Sequence, residues 1–392
     1  MITAATDKPV VAVYVRHYLS PSETFVYRQL QGVRRAYHPI VLTANPHNLD
    51  LFPFEPLFHQ RKTFVGRVYT RILQNAAGRY AVLTPQQAAY WRRVLTESTA
   101  RLIHAHFGHF ALDMLPVARS LKIPMVVTFH GYDASVLLAN KKYLRALREL
   151  ADYARVITVS QDMAERLAAV GVKPVRLSVH YIGVPVQQFE YVQRMPIKEK
   201  LAAGMSITFV QVSNFVEKKG HKYTVEAFSK LVARRANVKL VFAGDGPLRP
   251  SIESLCVANG ISDKVTFVGK VVTKEVVSLM AEADVFLHHS VTTRDGDKEG
   301  LPTVLMEAMA TGLPAISTIH SGIPELIEDG VDGFLVRERD VDDYVAKLTS
   351  VADIDSDMSN RARKKVETSF NMSLQNDKLI DIYQRAIDEN AV

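Results

Sequence analysis

The feature that most constrains the fold of this chain is a regular alternation of short, β-branched apolar runs with longer amphipathic segments. Such runs are typical of strands buried on both faces, and segments of helical periodicity between them predict βαβ units. Parallel sheets covered by helices follow from that order. Six runs occur in the first half of the chain and six in the second. They comprise residues 10–15, 39–44, 101–106, 124–130, 155–160 and 176–181, then 207–212, 238–243, 265–268, 284–288, 314–318 and 333–336.

The chain is too long for one hydrophobic core, because single cores stop growing at roughly 250–300 residues. Between the two sets of runs the strand pattern is lost, and Pro and Gln become frequent. We therefore predict an α/β protein with two doubly wound, parallel-sheet domains. The predicted organisation is a first domain of residues 1–190, a linker of residues 191–205, a second domain of residues 206–375, and a C-terminal helix of residues 376–392 that could pack back on the first domain.

The composition is that of a globular protein, with 47% hydrophobic and 23% charged residues. No segment approaches the roughly 20 apolar residues of a membrane span. The first twenty residues hold one short apolar run, which Arg16 and His17 interrupt, so we expect no secretory signal. Cys256 is the single cysteine, which excludes an internal disulfide and a zinc cluster of cysteines. The expected location is the cytoplasm.

Positive charge is concentrated in the first half of the chain. Residues 1–190 carry 23 Lys and Arg against 12 Asp and Glu, a net +11, whereas the remainder carries 25 against 29, a net −4. Residues 60–101 interleave basic and aromatic side chains, which suits an anionic membrane surface, here the inner membrane face, or an acidic acceptor. A solvated helix surface is the alternative interpretation. No nucleic-acid motif accompanies the charge, so no nucleic-acid partner is expected.

Ligands of open parallel sheets bind at the carboxyl ends of the strands, so the segments after each predicted strand are the candidate site. Glu299 and Glu307 bracket a Gly-Leu-Pro turn that opens a predicted helix. Pro302 suits the first helical turn, and the amides of Gly300 and Leu301 would then face an anion at the positive helix end. The two carboxylates would repel a phosphate, so they are expected to accept hydrogen bonds from hydroxyls on either side of it. The pattern predicts a ligand with a central diphosphate between two sugars.

Two further strand ends carry candidate phosphate contacts. Three lysines, Lys218, Lys219 and Lys222, follow the run at 207–212, where a lysine at a helix start supplies a point charge for phosphate. Exposed helix residues are the alternative. Gly244 and Gly246 follow the run at 238–243, but the dinucleotide pattern G-x-G-x-x-G is not met, and turn geometry is the favoured interpretation.

Histidines end two strands of the first half. His130 could bond a sugar hydroxyl or be packed as a buried neutral ring. His104 and His106 share one strand face, and for them a structural role is favoured over metal binding, because no third ligand lies nearby in sequence. Asp295 and Asp297 form a lone D-x-D, for which solvated turn residues are favoured over a Mg²⁺ or Mn²⁺ site.

Taken together, these motifs resemble those of the retaining family-4 glycosyltransferases of the GT-B fold, particularly those of bacterial exopolysaccharide and lipopolysaccharide assembly. The resemblance rests on the E-x(7)-E pattern, on Glu307-Ala-Met-Ala-Thr-Gly-Leu-Pro after it, and on Ser321-Gly-Ile-Pro-Glu325. It covers nearly the whole chain. It implies two Rossmann-like domains facing a central cleft, an acceptor-binding N-terminal domain and a C-terminal domain that binds a nucleotide sugar.

The resemblance also implies roles for individual residues. His130, Lys219 and Glu299 would be catalytic: His130 near the transferred sugar, Lys219 on a phosphate, and Glu299 on donor-sugar hydroxyls. Glu307 would hold the ribose, and the loop around Gly269 would meet the base. The implied donor-binding residues are Asn214, Lys218, Gly244, Gly246, Gly269, Gly300, Leu301, Pro302 and Glu307, and those on the acceptor side are Ser22, Glu23 and Thr24.

The chain departs from the family pattern at two places. Asn214 stands where the family has an arginine, so one diphosphate cation is missing. The glycine-rich first loop of the family is replaced by His17-Tyr18-Leu19-Ser20-Pro21-Ser22. Neither change removes the two glutamates.

The implied reaction moves a hexose from a nucleoside-diphosphate sugar, UDP-linked rather than GDP-linked, to a saccharide or lipid-linked acceptor. The anomeric configuration is retained without a carboxylate nucleophile, and neither a metal nor another cofactor is required. Two alternatives remain open from the sequence: a nucleotide-sugar epimerase, and a non-catalytic partner that binds nucleotide sugar beside another transferase.

Overall fold

The computed structural model describes residues 7–21, 23–76, 80–354 and 356–390. The chain forms two compact units. One contains the chain up to Ile182 together with the segment from Ser373 onward, and the other runs from Gly183 to Met372. The chain thus divides at Ile182 and Met372, whereas the sequence pattern placed the ends of the two domains at residues 190 and 375.

The first unit contains a seven-stranded parallel sheet of order β3-β2-β1-β4-β5-β6-β7. All six strands predicted in this half are present. The short edge strand β3 was not predicted. The strands are β1 (Val10–Tyr14), β2 (His38–Thr43), β3 (Leu57–His59), β4 (Ala100–His106), β5 (Met125–Phe129), β6 (Arg155–Thr158) and β7 (Leu177–Val179).

Seven helices surround this sheet, and the last of them comes from the C-terminus of the chain. It brings Leu379, Ile382 and Tyr383 into the same core cluster as β1 residues such as Val11 and Val13. The helices are α1 (Thr24–Val33), α2 (Phe64–Ala76), α3 (Pro85–Glu97), α4 (Gly108–Leu121), α5 (Lys141–Tyr153), α6 (Gln161–Ala169) and α15 (Met372–Asn390).

The second unit contains a six-stranded parallel sheet of order β10-β9-β8-β11-β12-β13, which is the strand order of a Rossmann domain. All six predicted strands are present, two of them with the predicted bounds. They are β8 (Ile207–Val212), β9 (Val238–Ala243), β10 (Val265–Gly269), β11 (Val285–His288), β12 (Ala315–Thr318) and β13 (Phe334–Val336).

Helices of the second unit cover both faces of its sheet, and one core cluster joins β8, β9 and β11 to residues of α8, α9 and α13. These helices are α7 (Ile197–Ala202), α8 (His221–Val232), α9 (Arg249–Ala258), α10 (Thr273–Glu282), α11 (Thr303–Ala310), α12 (Ile323–Leu326), α13 (Val341–Ser350) and α14 (Ser356–Ser369).

Residues 191–205, the predicted linker, lie within the second unit and include helix α7. The guanidinium of Arg194 donates to the carbonyls of Met280, Ala283 and Thr311 at 2.6–3.0 Å. This segment is therefore bound along its length to the second unit. Among the helices that the structure describes, none combines the length and apolar composition that crossing a membrane requires.

Each sheet reverses its strand order once, between β1 and β4 in the first unit and between β8 and β11 in the second. Such a reversal leaves a crevice outside the carboxyl ends of the two strands, where ligands of doubly wound sheets bind. We therefore expect the ligand site of the second unit to be formed by the residues that follow β8 and β11.

Candidate active site

The segment after β8 is shaped by a close approach to the segment after β11. A short 3₁₀ turn, Glu217–Lys219, leads to Gly220, which caps α8 with a φ of 60°. A Cβ on Gly220 would overlap the carbonyl oxygen of His289. Glycine is thus required twice, by the left-handed backbone and by the contact, and the result is that Lys219 lies beside the loop after β11.

Lys219 and Glu299 form an ion pair at this point, with Nζ and Oε1 2.9 Å apart and side chains only 16% and 11% exposed. Burial alone would raise the pKa of the Glu299 carboxyl, but the charges of Lys219 and Lys218 outweigh it and hold that pKa at about 2. The carboxylate is therefore ionised at neutral pH. It can accept hydrogen bonds but cannot serve as a general acid.

The D-x-D segment is bound to the same loop. Lys218 Nζ lies 2.9 Å from Asp297 Oδ2, and Asp295 accepts a hydrogen bond from the Thr293 hydroxyl at 2.5 Å. Burial opposes the charge of Lys218, but Glu299 and Asp297 outweigh it and raise the pKa of the amine. Within the described ranges, no group of three or more His, Cys, Asp or Glu side chains is arranged to hold a metal ion.

Several polar atoms around these pairs are buried without a hydrogen-bond partner in the described part of the chain. They include both ring nitrogens of His288, the hydroxyl of Ser290 and Oδ1 of Asp297. Buried polar groups are normally satisfied, so a cluster of exceptions points to a place that a polar ligand completes. Burial, reinforced by the charge of Lys219, lowers the pKa of His288 well below its usual range.

Helix α11 begins directly beyond the Glu299 loop. Pro302 is the N-cap, with an extended ψ of 115°, so the first helical residue is Thr303 and the placement of Pro302 within the first turn was wrong by one residue. Gly300 and Leu301 are buried at this helix start, and Glu307 is partly buried on the helix itself. Gly300, Leu301 and Pro302 thus lie beside Glu299 at the start of α11, and Glu307 lies in the middle of that helix.

Three of the predicted donor-binding glycines, Gly244, Gly246 and Gly269, lie at the ends of β9 and β10. A Cβ on Gly244 would overlap the carbonyl oxygen of Ser213, and one on Gly246 would meet the Phe215 backbone at 2.7 Å. The Gly244 amide donates to the carbonyl of Gly269 at 2.7 Å. Close backbone packing and a positive φ together explain Gly244 and Gly246, whereas Gly269 is explained by its φ of 87°.

Asn214 lies between these glycines and Lys218, in the loop after β8, with its side chain exposed. Its amide is thus available at the surface of the segment that carries both lysines, but it adds no charge there.

In the first unit, His130 follows β5 and lies against His106, with Nε2 and Nδ1 3.1 Å apart. The Phe25 and Phe107 rings lie 5.0 and 4.5 Å from its ring. Burial lowers the pKa of His130 well below its usual range and that of His106 to about 3, so both rings are neutral at pH 7. A neutral pair can share one N–H between its facing nitrogens.

Asp133 fixes the backbone around His130. Its Oδ1 accepts from the amides of His130 and Gly131, both at 3.0 Å, and its Oδ2 accepts from the Gly108 amide at 2.7 Å. Phe107, at the start of α4, has a φ of 67° and ψ of 115°, a strained conformation for a bulky residue. Such strain is concentrated at functional sites.

The structural interpretation of His104 fits its contacts. Its ring nitrogens lie 2.6 Å from the hydroxyl of Tyr383 and 2.8 Å from that of Thr128. His104 therefore joins β4 to β5 and to α15. His106 has a different position, since it contacts His130, and the sequence interpretation missed this.

The predicted acceptor-side residues lie at the start of α1. Ser22 is outside the described residues. Glu23 precedes α1 and accepts a hydrogen bond from the Ser20 amide at 2.6 Å, so its carboxylate closes the turn. Thr24 is the first helical residue, and the next one, Phe25, contacts His130.

Two residues that the sequence interpretation did not consider contact the Glu299 loop. His320 accepts from the Glu299 amide at 3.1 Å, and Glu338 lies 2.6 Å from the other ring nitrogen of His320. They follow β12 and β13, so only the strand order brings them to the loop after β11.

Comparisons with known proteins identify the family of this chain. Residues 193–368 match the profile of glycosyl transferases group 1, and residues 22–188 match that of glycosyltransferase family 4. The putative colanic acid biosynthesis glycosyltransferase WcaL of Salmonella typhimurium is 33% identical over 71% of this chain and 69% of its own length. The amylovoran biosynthesis glycosyltransferase AmsK of Erwinia amylovora is 32% identical over 73% of this chain and 70% of its own.

Solved structures show the same fold. The Anabaena protein Alr3699/HepE in complex with UDP-glucose superposes with a TM-score of 0.76, over 96% of this chain and 99% of that one, at 18% identity. Its complex with UDP gives a TM-score of 0.77. With two Rossmann-like units and curated relatives above 30% identity, this chain is a member of glycosyltransferase family 4, of the glycosyl transferases group 1, and has the GT-B fold.

Proposed function

We propose that this protein transfers a hexose, with retention of configuration, from a nucleoside-diphosphate sugar to a saccharide or lipid-linked acceptor. The observation that carries the proposal is the buried Lys219–Glu299 pair at the strand-order reversal of the second unit. It places one cation and one ionised carboxylate side by side, next to the start of α11. A phosphate has a partner in the cation and helix amides, and a sugar hydroxyl has one in the carboxylate.

Lys219 and the amides of Gly300 and Leu301 stabilise the charge that develops on the departing diphosphate. In a buried site such donors stabilise charge more strongly than water does, because they are already oriented and the local dielectric is low. Lys219 is 16% exposed, which suits this role. Lys218 and the exposed amide of Asn214 lie on the same loop as Lys219 and also bind the diphosphate. Lys218 supplies part of the positive charge that the arginine supplies elsewhere in the family.

Retention follows a same-face route. The bond from the anomeric carbon to the phosphate oxygen breaks, the acceptor oxygen bonds to that carbon from the same side, and the acceptor proton passes to the departing phosphate. Glu299 is held ionised by Lys219 and hydrogen-bonds sugar hydroxyls, while Glu307 holds the ribose. His130 lies near the transferred sugar and, as a neutral ring, offers a hydrogen bond.

The donor is UDP-linked in this proposal, supported by the UDP and UDP-glucose complexes of the Anabaena protein. The acceptor belongs to cell-envelope or exopolysaccharide synthesis, supported by the colanic acid and amylovoran relatives. We expect the reaction to proceed without a metal, because Lys219 and Lys218 supply positive charge at the Glu299 loop where a metal ion would otherwise supply it.

We further propose a cytoplasmic protein that binds the inner membrane face through α2. Five large apolar side chains of this helix are 41–74% exposed, and Arg67 and Arg71 are exposed beside them. A helix with an apolar face flanked by cations suits the interface of an anionic bilayer. The apolar residues are Phe64, Val65, Val68, Tyr69 and Ile72. Elsewhere in residues 60–101, Trp91 is buried and Arg79 lies outside the described residues.

Incubation with UDP- and GDP-sugars, each with and without a mixture of cell-envelope saccharides and each with and without EDTA, tests the proposal. Release of nucleoside diphosphate that requires an acceptor and persists in EDTA supports it. A changed sugar without acceptor would indicate an epimerase, and binding without turnover a non-catalytic partner. Activity lost in EDTA and restored by Mg²⁺ or Mn²⁺ would assign Asp295 and Asp297 to a metal.

A further inference from the structure

The loop between β11 and α11 carries the groups proposed to bind the donor, yet it is long and contains no regular structure. It runs from His289 to Pro302. A loop of this length holds side chains in fixed positions only if other parts of the fold bind it. The segment after β8 binds the middle of the loop through Lys218 and Glu217, and the segments after β12 and β13 bind its two ends.

At the far end of the loop, the turn after β12 binds the backbone of Glu299 and Gly300 three times. The Glu299 amide donates to His320 Nε2 at 3.1 Å, and the Ser321 hydroxyl donates to the Glu299 carbonyl at 2.7 Å. The Gly322 amide donates to the Gly300 carbonyl at 3.3 Å. Ser321 has a φ of 46°, a left-handed conformation that brings its neighbours to the loop.

At the near end, Glu338 accepts from the Thr292 amide at 2.8 Å through Oε2. The next amide along, that of Arg339, donates to His289 Nε2 at 3.1 Å. Glu338 also lies 2.6 Å from His320 Nδ1 through Oε1. The carboxylate of Glu338 thus connects both ends of the loop, one directly and one through His320.

The Glu299 backbone amide determines which atoms of His320 and Glu338 donate and which accept hydrogen bonds. An amide can only donate, so His320 Nε2 has the lone pair and the ring proton lies on Nδ1, where it is donated to Glu338. Burial would raise the pKa of Glu338, but the bonds from His320 and Thr292 outweigh it and lower it to about 2. The His320 side chain is fully buried. A charged acceptor behind a buried imidazole holds its ring orientation, as carboxylates do behind histidines that bind metals.

We propose that His320 and Glu338 are positioning residues of the glycosyl-transfer site, which fix the loop so that the Glu299 carboxylate and the Gly300 and Leu301 amides stand in their donor-binding positions before the donor arrives. The inference rests on the proposed function for what the loop binds. The two residues themselves do not contact the donor, and they act through the backbone of Glu299.

The test combines His320→Gln, Glu338→Gln and Glu299→Gln, singly and in pairs, with Asp342→Asn as the matched carboxylate-to-amide control in the same unit. The Asp342 side chain is 87% exposed and pairs with Lys230 on the surface. Substituting a residue that orients a binding group without contacting the ligand typically changes activity by about 10- to 100-fold. We expect kcat/KM for the donor to fall by that factor in His320→Gln and in Glu338→Gln, with a melting temperature close to that of the wild type. The Asp342→Asn variant should have the kcat/KM of the wild type.

The double variants separate positioning from general structural damage. If His320 and Glu338 act through Glu299, either substitution added to Glu299→Gln lowers kcat/KM much less than it does alone. The proposal would be overturned if the free-energy effects of the substitutions on kcat/KM were fully additive in the double variants. A wild-type kcat/KM in both His320→Gln and Glu338→Gln would also overturn it. If the wild type neither binds nor turns over any donor, the proposed function fails instead. Hydrogen exchange of residues 289–302 then decides: faster exchange in both variants supports the positioning pair, and exchange equal to wild type overturns it.

Discussion

Lys219 is the residue on which the proposed chemistry depends most. Its ammonium is buried against an ionised carboxylate, at the point where the Glu299 loop approaches the turn before α8. The paired carboxylate compensates part of the cost of burying a charged side chain. A bound phosphate would add a second anion to the same ammonium, which explains how one lysine can serve where the family also uses an arginine.

We expect Lys219→Ala to reduce kcat by roughly 100- to 1000-fold, the usual effect of removing one donor that stabilises transition-state charge. Circular dichroism should show an unchanged fold. Lys230→Ala is the matched control, since Lys230 lies on α8, the helix that follows Lys219, forms an ion pair with Asp342 and is half exposed. A Lys219→Ala enzyme with wild-type kcat would contradict the assignment.

The pH dependence of stability provides a second test at this scale. The pKa of Glu299 is about 2 in the folded protein against 4.5 when free, so the unfolded chain binds more protons at acid pH. The contribution of the carboxylate is therefore fully present above about pH 5 and is lost as the pH falls towards 2. We expect the difference in free energy of unfolding between wild type and Glu299→Gln, measured in urea, to shrink over that interval. A difference independent of pH would contradict the ion pair.

Several site residues could not be predicted because their partners are distant in sequence. The sequence identified Lys219, Glu299 and His130 from their positions after strands. It gave no reason to connect His106 with His130, or His320 and Glu338 with Glu299, because those contacts depend on strand order and side-chain direction. Asp133 was not predicted as a site residue for the same reason. Its role depends on hydrogen bonds from three backbone amides, one of which belongs to a distant segment of the sequence.

At the scale of elements, the strands were predictable and their ends less so. Buried parallel strands are continuous apolar runs, which is why all twelve predicted runs are strands in the structure. The missed strand β3 has three residues at a sheet edge and none of them is buried, so it lacks that signal. Pro302 caps α11 rather than starting it, a difference of one residue that depends on its ψ angle.

The junction between the 3₁₀ turn and α8 can be tested through Gly220. Alanine at position 220 would adopt a left-handed backbone conformation, and its Cβ would overlap the carbonyl of His289. Alanine at position 260 would adopt a similar φ of 67°, but its Cβ would contact no atom of the described residues other than those of its chain neighbours. We expect Gly220→Ala to lower the free energy of unfolding by about 1–3 kcal/mol more than Gly260→Ala, the usual cost of overpacking. Equal losses in urea denaturation would show that the close approach to His289 is not tight.

Helix α2 provides a prediction about partners. Val65 and Ile72 are 74% and 59% exposed on its apolar face, and Val175, in the same unit, is equally exposed at 76% outside that helix. The double variant Val65→Ser/Ile72→Ser should bind anionic vesicles at least about tenfold more weakly in sedimentation, and Val175→Ser should bind as wild type does. Wild-type binding should weaken as salt rises, because the cations contribute through screened attraction. Equal binding by all three proteins would contradict a docking role for α2.

At the scale of the whole molecule, each unit has the strand order that creates a ligand crevice, and each places unusual side chains there. The second unit has the Lys219–Glu299 pair, and the first has a neutral histidine pair beside the strained Phe107. The assignment of donor binding to the second unit and acceptor binding to the first stays a prediction of the family resemblance. The C-terminal helix α15 belongs to the first unit, where Tyr383 bonds His104, so the chain ends in the unit where it began.

The most direct test of the central claim is a proton NMR time course of the purified protein with UDP-glucose and an acceptor identified by the sugar panel. We expect UDP to appear only with the acceptor present, and the first product formed to carry the α-anomeric configuration of the donor. A β-configured product would contradict the retaining same-face route, and release of glucose or a changed sugar without acceptor would contradict transfer itself.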